Sequence, residues 1–370
     1  MKKIRFCTFY LPCSNVELAK DVGQIPFTLA RYYNVEASIA CYNLNRNGIN
    51  SEVLNHVEFK KVKKILKNDY LSAIVFIMKN ARKIDWLNLY HGGRFVYYIS
   101  KLYKLVNPSG RVYLKLDMDF RSCDLYDANL KERRIFSKCT KMVDIVSVES
   151  QAIKERIQKY AKKEILVICD GLAENECRPK TDMRRNNTFI TVARLGTKQK
   201  ATDVLLEAFA KSANFHNWDL LLVGSIEEKF KPYIDDYFKK YPMLATRVNF
   251  FGIITDRNAL YEKYCESKVF VLPSRWESYG ISAVEALYCG CHLILSDSIP
   301  PANEMINNGK YGCVVKSENI DDLTKKIIDM TKKTYNQNEI DEMVKYAKEK
   351  FSWEHICKEL FLEMIKISEK

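Results

Sequence analysis

The feature that most constrains the fold is a regular alternation, in the second half of the chain, between short apolar runs and polar or amphipathic segments. Each run is only a few residues long, is rich in valine, leucine and phenylalanine, and is followed by a loop and a segment with helical spacing. This alternation predicts a parallel β-sheet covered by helices, because parallel strands need crossover connections and are buried on both faces. The predicted strands are "TFITVAR", "WDLLLVG", "RVNFFGI", "KVFVLP" and "CHLILSD".

The first half repeats the pattern less clearly. Its candidate strands are "KIRFCTFY", "VEASIACY", "IDWLNLY", "RVYLKLD", "DIVSVES" and "EILVICD". We therefore predict an α/β protein with two Rossmann-like lobes whose parallel sheets face a central cleft, since such sheets bind ligands at the carboxyl ends of their strands. The predicted lobes are residues 1–170 and 171–351, with a charged linker over 171–188, and a C-terminal helix at about 352–370 is expected to pack back on the first lobe.

Composition sets the class of protein. With 370 residues and 47% hydrophobic composition, the chain is long enough to bury two ordinary cores. The longest apolar run, residues 71–78, is too short to span a bilayer, and "MKKIRFCTFYLPCS" lacks the sustained apolar core of a signal peptide. The twelve cysteines include no C-x-x-C pair, which indicates reduced thiols and no zinc site. A cytoplasmic protein is the expectation.

The formal charge of +13 has a local source in residues 58–83, "EFKKVKKILKNDYLSAIVFIMKNARK", where lysines alternate with aromatic and aliphatic residues. One interpretation is a peripheral contact with an anionic membrane surface. A solvated helix face explains the same pattern equally well. Nucleic acid is not an expected partner, because no recognition signature accompanies the charge.

Two glutamates in "PSRWESYGISAVEALYCGC", residues 273–291, raise a question of function. The pattern predicts a helix from about Gly280 to Cys289 that ends at Gly290, with almost no polar face. Burying an unpaired carboxylate costs several kcal/mol, so Glu285 should have hydrogen-bond donors nearby. Two structural alternatives remain open: Ser282 and Glu285 fit a capping box, and Glu277 fits a solvated loop acid.

A second group of residues has the character of a phosphate site. In "ARLGTKQKATDVLLEAF" a strand ends near Ala193, and a loop with Arg194, Lys198 and Lys200 leads to a helix that starts near Thr202. Cations beside the free amides of a helix start suit a diphosphate, although Lys198 fits a surface lysine better. Tyr279, Gly280 and Ile281 offer further amides at a helix start, and Gly23 in "KDVGQIPF" marks a weaker loop of the same kind in the first lobe.

Together, "RLGTKQKATDVLLEAF", "LLLVGS", "VNFFGII", "LPSRWESYGISAVEALYCGC" and "YGCVV" resemble, in order and approximate spacing, the retaining GT-B glycosyltransferases of the group 1, or family 4, type. The resemblance covers about residues 140–355 and includes that family's E-x7-E signature at Glu277 and Glu285. It implies a nucleotide-sugar in the cleft. The implied roles are ribose hydroxyls for Glu285, the transferred sugar for Glu277, the diphosphate for Arg194 and Lys200, the distal phosphate and sugar for the amides of Tyr279, Gly280 and Ile281, and the base for the loop from Gly252 to Ile254.

The first lobe departs from the family pattern. A histidine that often follows the fifth strand in this family is replaced by "KLDMD", in which Asp117 falls nearest the expected position. His91, at the end of the preceding strand, is the other candidate for the acceptor side. Asp117 and Asp119 also fit the D-x-D pair of metal-dependent, single-lobe glycosyltransferases, which is an alternative enzyme class. A non-catalytic accessory subunit with the same fold is a third possibility.

The expected function is transfer of a sugar, with retention, from a nucleotide-sugar, in the first place a UDP-sugar, to a hydroxyl of a glycan or lipid-linked acceptor in cell-surface polysaccharide biosynthesis. Cations and helix amides stabilise a diphosphate leaving group as it gains charge, so no metal and no further cofactor are expected. The basic first lobe is expected to lie at the inner face of the membrane. The identities of the sugar and acceptor have no decodable motif.

Overall fold

A computed structural model describes residues 3–42, 51–172, 179–180 and 182–369. The chain divides into two compact units, Met1–Ala173 with Trp353–Lys370, and Glu174–Ser352. The predicted boundary at 170/171 lies three residues before this division. Residues 173–178 and 181 of the predicted linker lie outside the described residues, and the last residues of the predicted linker already belong to the first strand of the second unit.

The first unit has a seven-stranded, all-parallel sheet in the order β3-β2-β1-β4-β5-β6-β7. Its strands are β1 Ile4–Phe9, β2 Val35–Cys41, β3 Val57–Lys61, β4 Trp86–Tyr90, β5 Arg111–Lys115, β6 Ile145–Val148 and β7 Leu166–Val167. Its helices are α1 Asn15–Leu18, α2 Asp21–Tyr32, α3 Ser51–His56, α4 Asp69–Asn80, α5 Arg94–Val106, α6 Phe120–Ala128, α7 Leu130–Met142 and α8 Gln151–Ile157.

The second unit has a six-stranded parallel sheet in the order β10-β9-β8-β11-β12-β13. Its strands are β8 Asn186–Val192, β9 Asp219–Val223, β10 Val248–Gly252, β11 Ser267–Leu272, β12 His292–Ser296 and β13 Gly312–Val315. Its helices are α9 Thr202–Ser212, α10 Lys231–Lys240, α11 Arg257–Glu266, α12 Ile281–Tyr288, α13 Ala302–Met305, α14 Ile320–Lys332 and α15 Gln337–Phe351.

The last helix, α16 Trp353–Ser368, belongs to the first unit and packs on α2. Its buried Trp353, Ile356 and Leu360 join the core on one face of the first sheet. Successive side chains of a strand point to opposite faces, so Val112 and Leu114 of β5 join the core formed with α4, α5 and α7, while Tyr113 faces α2 and α16.

Both sheets have the strand order of a Rossmann fold, in which the order reverses next to the first strand. The predicted α/β architecture with two Rossmann-like parallel sheets is therefore confirmed. The reversal lies between β1 and β4 in the first unit and between β8 and β11 in the second. In open α/β sheets, ligands bind outside the carboxyl ends of the strands at such a reversal.

The lysine-rich stretch of residues 58–83 is not a single helix. Lys60 and Lys61 lie in strand β3, residues 62–68 form a connection, and α4 carries the apolar run. Strand β3 was hard to predict because its "VEFKK" sequence shares its lysines with the segment that follows. Among the described residues, no helix has both the length and the apolar character needed to cross a membrane.

Candidate active site

Three of the candidate residues in the second unit lie where the strand order of its sheet reverses, between β8 and β11. The loop after β8 carries Arg194 and Lys200, and the loop after the neighbouring strand β11 carries Glu277. Parallel strands end at the same edge of a sheet, so these two loops lie side by side. A backbone hydrogen bond from Arg275 N to Gln199 O (2.8 Å) joins them directly.

The loop after β8 is held in shape by tight packing and by the start of α9. Gly196 has φ of +80°, and a β-carbon there would lie 2.3 Å from the Phe230 side chain, so this position requires glycine. The Gly196 amide donates to Thr202 Oγ1 (2.9 Å). Ala201, which precedes α9, adopts a left-handed conformation with φ of +50°. The predicted start of this helix at Thr202 is confirmed.

Lys200 and Glu277 form a nearly buried ion pair, with 2.5 Å between Lys200 Nζ and Glu277 Oε1. Ser274 Oγ donates to the same carboxylate oxygen (2.7 Å), and Gln199 Nε2 donates to Oε2 (3.2 Å). The interpretation of Glu277 as a solvated loop acid is therefore wrong, because its side chain is only 7% exposed. Three hydrogen-bond donors hold this carboxylate at the carboxyl edge of the sheet.

Arg275 is a residue that the sequence analysis missed, and it connects the two loops. Its guanidinium donates to both carboxylate oxygens of Asp203 (3.0 and 2.7 Å) in the first turn of α9 and also contacts Glu318. A further bond reaches the Lys198 carbonyl oxygen (3.0 Å). Because Arg275 is two residues from Glu277, this network sets the position of the Glu277 loop against the Lys200 loop.

Arg194 and Lys198 are exposed. For neither side chain is a hydrogen bond or ion pair found within the described residues. Arg194 is the second residue after β8, so its guanidinium is available to an anion bound at this edge of the sheet. Lys198 contributes its backbone oxygen to Arg275 and keeps the interpretation of a surface lysine.

Glu285 lies on α12 and has the donors that its burial predicts. Arg257 Nη2 lies 2.6 Å from Oε1, and the buried Tyr264 hydroxyl donates to Oε2 (3.2 Å). Burial, together with the charge of Glu285, raises the pKa of Tyr264 well above its usual value, so this hydroxyl remains a donor. Neither partner could be identified from the sequence, since both lie on α11, more than twenty positions before Glu285.

The capping-box interpretation of Ser282 and Glu285 is wrong. The residue that caps α12 is Gly280, with φ of +100° and no side-chain cap, and the Glu285 carboxylate points to α11 instead. The predicted end of the helix at Gly290 is confirmed, and Gly290 has φ of +81°.

The remaining second-unit candidates are backbone positions. Tyr279 is buried, Gly280 has its left-handed conformation, and Ile281 begins α12, so the amides at this helix start follow Glu277 immediately. Gly252 ends β10 with φ of +87° and open space where a β-carbon would be. Ile254 is half-buried in the otherwise exposed loop that leads from Gly252 to α11 and Arg257.

In the first unit, His91 lies at the corresponding reversal of strand order, directly after β4. It is exposed and has φ of +58°, and its ring contacts that of Tyr10. A cavity of about 360 Å³ opens here. Its lining is largely aromatic and includes Phe9, Tyr10, Tyr70, Tyr90, His91 and Phe95.

A buried ionic cluster, which the sequence analysis did not predict, lies at the carboxyl edge of the same sheet. Lys115 at the end of β5 is fully buried, with its Nζ 2.7 Å from Glu149, 3.6 Å from Asp170 and 3.9 Å from Asp21. Burial acts to lower the pKa of Lys115, but these carboxylates more than offset it and raise the pKa well above its usual value. Burial raises the pKa values of Asp21 and Glu149. The single ammonium of Lys115 thus forms ion pairs with three carboxylates.

This cluster also positions the loop that carries Asp117. Glu149 accepts from Lys115 through Oε1 and from the Met118 amide through Oε2 (3.3 Å). Asp117, one residue before Met118, is exposed, and no hydrogen bond to its carboxylate is found in the described part of the chain. Asp117, the residue nearest to the expected position of the family's histidine, is therefore exposed. Its loop is held in place by the hydrogen bond between the Met118 amide and the buried Glu149.

Asp119 has a structural role. It caps α6, accepting from the Ser122 amide (2.8 Å), and it also pairs with Arg121. Partial burial acts to raise the pKa of Asp119, but the hydrogen bonds from Ser122 and Arg121 outweigh it and lower the pKa. The D-x-D interpretation is left with Asp117 alone, because Asp119 is already engaged.

Gly23 does not lie in a loop, so that prediction is wrong. It is the third residue of α2, and a β-carbon there would lie 2.1 Å from the Leu18 carbonyl oxygen of α1. Glycine is needed at this position because α1 and α2 approach closely. The acidic residue at this helix start, Asp21, instead belongs to the Lys115 cluster.

Residues 174–350 match the family model described as glycosyl transferases group 1. This range contains Lys200, Glu277, Arg257 and Glu285 on one edge of one sheet. Residues 174–350 form a group 1 glycosyltransferase domain. The matched range covers nearly the whole second unit, and it ends before α16 returns to the first.

Three relatives match between 49% and 61% of this chain. An uncharacterized glycosyltransferase from Methanocaldococcus jannaschii is 25% identical over 226 residues, which are 61% of this chain and 60% of that protein. A probable sucrose-phosphate synthase from Thermosipho melanesiensis is 27% identical over 59% of this chain and 51% of that protein. An uncharacterized protein in the cps region of Klebsiella pneumoniae is 27% identical over 49% of this chain. The chain thus spans 42–60% of the lengths of these three relatives.

Solved structures resemble the whole chain. HepE of Anabaena in complex with UDP has a TM-score of 0.75 at 15% identity, over 98% of this chain and all of that one. The lipopolysaccharide outer core galactosyltransferase WaaB, in its apo form, has a TM-score of 0.73 at 16% identity, with the same coverage. At such low identity these likenesses concern the fold, and they confirm the predicted GT-B architecture.

Proposed function

We propose that the protein is a retaining glycosyltransferase that moves a sugar from a nucleotide-sugar, in the first place a UDP-sugar, to a hydroxyl of a glycan or lipid-linked acceptor. The observation that carries this proposal is the pair of buried, ion-paired carboxylates at one sheet edge: Glu277 with Lys200, and Glu285 with Arg257. The group 1 family match supports the reaction class, and the UDP bound by HepE supports the donor class.

The donor side follows from the chemistry of the two loops. Arg257 and Tyr264 orient the Glu285 carboxylate, and its remaining lone pairs can accept from two ribose hydroxyls. Lys200, Ser274 and Gln199 orient Glu277 in the same manner, and its carboxylate would accept hydrogen bonds from hydroxyls of the transferred sugar. Arg194, Lys200 and the amides at Gly280 and Ile281 would surround the diphosphate.

Bond breaking places new negative charge on the diphosphate leaving group. Cations already fixed in position stabilise that charge more in the transition state than in the ground state, which accelerates the reaction. In the retaining route that we propose, the acceptor hydroxyl attacks from the face that the diphosphate leaves, and its proton passes to a phosphate oxygen. These residues supply positive charge to the diphosphate without a metal.

On the acceptor side we propose the aromatic cavity beside His91. Aromatic rings offer flat faces to the C–H groups of a sugar, and a volume of about 360 Å³ matches a small-molecule site. Asp117, fixed through Met118 and Glu149, would accept a hydrogen bond from an acceptor hydroxyl.

We place the acceptor in cell-surface polysaccharide biosynthesis at the inner face of the membrane. Supporting this, α4 exposes Leu71, Ile74 and Met78 at helical spacing, and Leu66 before it is 86% exposed. Three lysines, at 63, 64 and 67, lie in the adjoining connection. Apolar side chains beside lysines are typical of a peripheral contact with anionic lipid.

Glu285→Gln tests the role of the second carboxylate. We expect the affinity for the nucleotide to fall at least tenfold, because hydrogen bonds to a charged group contribute about 1.5–3 kcal/mol each. The melting temperature should change little, since the amide oxygen still accepts from Tyr264 and the partly exposed Arg257 can turn to water. Calorimetric titration with the nucleotide and thermal melting measure the two effects.

Ser282→Ala is the matched control for the same helix. It should change neither quantity, because Gly280 and not Ser282 caps α12. A parallel fall of affinity and melting temperature in Glu285→Gln would indicate a structural carboxylate and contradict the ribose assignment.

A further inference from the structure

A cavity of about 550 Å³ lies in the first unit and plays no part in the proposed reaction. It is a groove between α5 and α7, which pack against each other. Its lining consists of Arg94, Tyr97, Tyr98, Leu130, Lys131, Arg134, Ile135 and Lys138. We call it the α5–α7 groove.

Four of the eight lining residues are cations, and none is an acid. Lys131, Arg134 and Lys138 follow one another on one face of α7 at spacings of three and four, and Arg94 stands opposite at the start of α5. Like charges at this spacing destabilise a helix by a few tenths of a kcal/mol per pair. The groove therefore accumulates positive charge at a cost to the fold.

Several cations elsewhere in the first unit have acidic partners. Examples are Arg5 with Asp85 (2.6 Å), Lys104 with Asp144 (2.8 Å) and Arg156 with Asp124 (2.7 Å). For the four groove cations, no ion pair is found within the residues that the structure describes, and all four are exposed. No acid found in the described residues therefore balances the positive charge that the groove brings together.

The walls of the groove are apolar and aromatic. Tyr98 is 57% exposed and Leu130 is 53% exposed, which is unusual for large side chains beside four cations. A bare anion would use the cations but leave these side chains in water. An anionic molecule with an apolar part would use both.

We propose that the α5–α7 groove binds the phosphate-bearing head group of an anionic membrane lipid. The four cations would face the phosphate, and Tyr98 and Leu130 would enter the boundary between head groups and acyl chains. Helix α5 also packs on α4, whose exposed apolar residues would extend the same contact. The inference deepens the proposed membrane contact and rests on that part of the proposed function.

The test compares binding to vesicles of phosphatidylcholine alone with binding to vesicles that also contain phosphatidylglycerol. The wild-type protein should co-sediment only with the anionic vesicles, and salt should weaken the binding. Arg134→Glu with Lys138→Glu should weaken binding at least about 25-fold, because each basic residue near an anionic surface contributes roughly a factor of five. Both positions are exposed, so the variant should fold.

The matched control is Lys239→Glu with Lys345→Glu, which changes the net charge equally at exposed positions of the second unit. It should bind vesicles like the wild-type protein. Equal loss in both variants would mean that only overall charge matters, and full binding by the groove variant would mean that the groove is not involved. Either result overturns the proposal.

Two further measurements separate the alternatives. If inorganic phosphate binds the wild-type protein, and not the groove variant, while anionic vesicles bind neither, the site is for a soluble anion and the lipid assignment is wrong. The groove variant should keep the wild-type affinity for UDP. Groove-dependent vesicle binding by a protein that binds no nucleotide would support the groove and contradict the proposed transferase.

Discussion

Replacing Lys200 with alanine is expected to lower turnover at saturating donor by about 10²–10³-fold, the usual effect of removing one preorganised group that stabilises transition-state charge. Lys200 forms an ion pair with Glu277 in this structure and would also contact the diphosphate when the donor is bound. Release of nucleoside diphosphate from the sugar donor measures the step without knowledge of the acceptor.

Lys198→Ala is the control for this prediction. Lys198 lies in the same loop and is exposed, with no side-chain partner found in the described part of the chain. Turnover should stay close to the wild-type value. If Lys200→Ala also retained full turnover at saturating donor, Lys200 would have no role in the chemical step.

The second large effect concerns stability. Lys115→Met would leave Glu149, Asp170 and Asp21 buried without their shared cation. Breaking a buried ion pair by removing one partner typically costs about 3–5 kcal/mol, and we expect a loss of this size in the unfolding free energy. Urea unfolding, followed in wild-type and variant proteins, measures it.

The pH dependence gives this prediction a second readout. Without the ammonium, the carboxylates can remain in the fold only by keeping protons that the unfolded chain releases above about pH 4. The folded state then binds more protons than the unfolded state, so the stability of the variant falls as pH rises. The destabilisation should be larger at pH 8 than at pH 5.

Lys104→Met is the control, because Lys104 makes a partly exposed pair with Asp144. Its loss should cost about 1 kcal/mol or less. Glu149→Gln added to Lys115→Met should recover part of the stability by removing one buried charge. Equal effects of Lys104→Met and Lys115→Met would contradict the account of the cluster.

The second unit could be predicted well from the sequence because its strands are continuous apolar runs with clear endings. The same clarity allowed the two carboxylates to be singled out, and the burial of Glu285 predicted donors without identifying them. Arg257 and Tyr264 could not be identified, since a single arginine and a single tyrosine on a helix have no distinctive sequence pattern. Only the packing of α11 on α12 brings them to Glu285.

The first unit was harder to predict. Lys115 has partners from positions 21, 149 and 170, and nothing local in the sequence joins residues so far apart. Asp117 was singled out because of its position after the fifth strand. The structure instead buries Lys115, two residues earlier, and leaves Asp117 exposed. Gly23 looked like a turn, because a close contact between two helices leaves the same single glycine in the sequence as a loop does.

We expect the second unit to hold a nucleotide-sugar donor through its own side chains and amides. The most direct measurement is calorimetric titration of the wild-type protein with UDP, GDP and ADP in the presence of EDTA. We predict saturable binding of UDP, and much weaker binding of the other two. Binding that required manganese would contradict the metal-independent site and favour Asp117, while no binding of any nucleotide, with or without metal, would contradict the transferase itself.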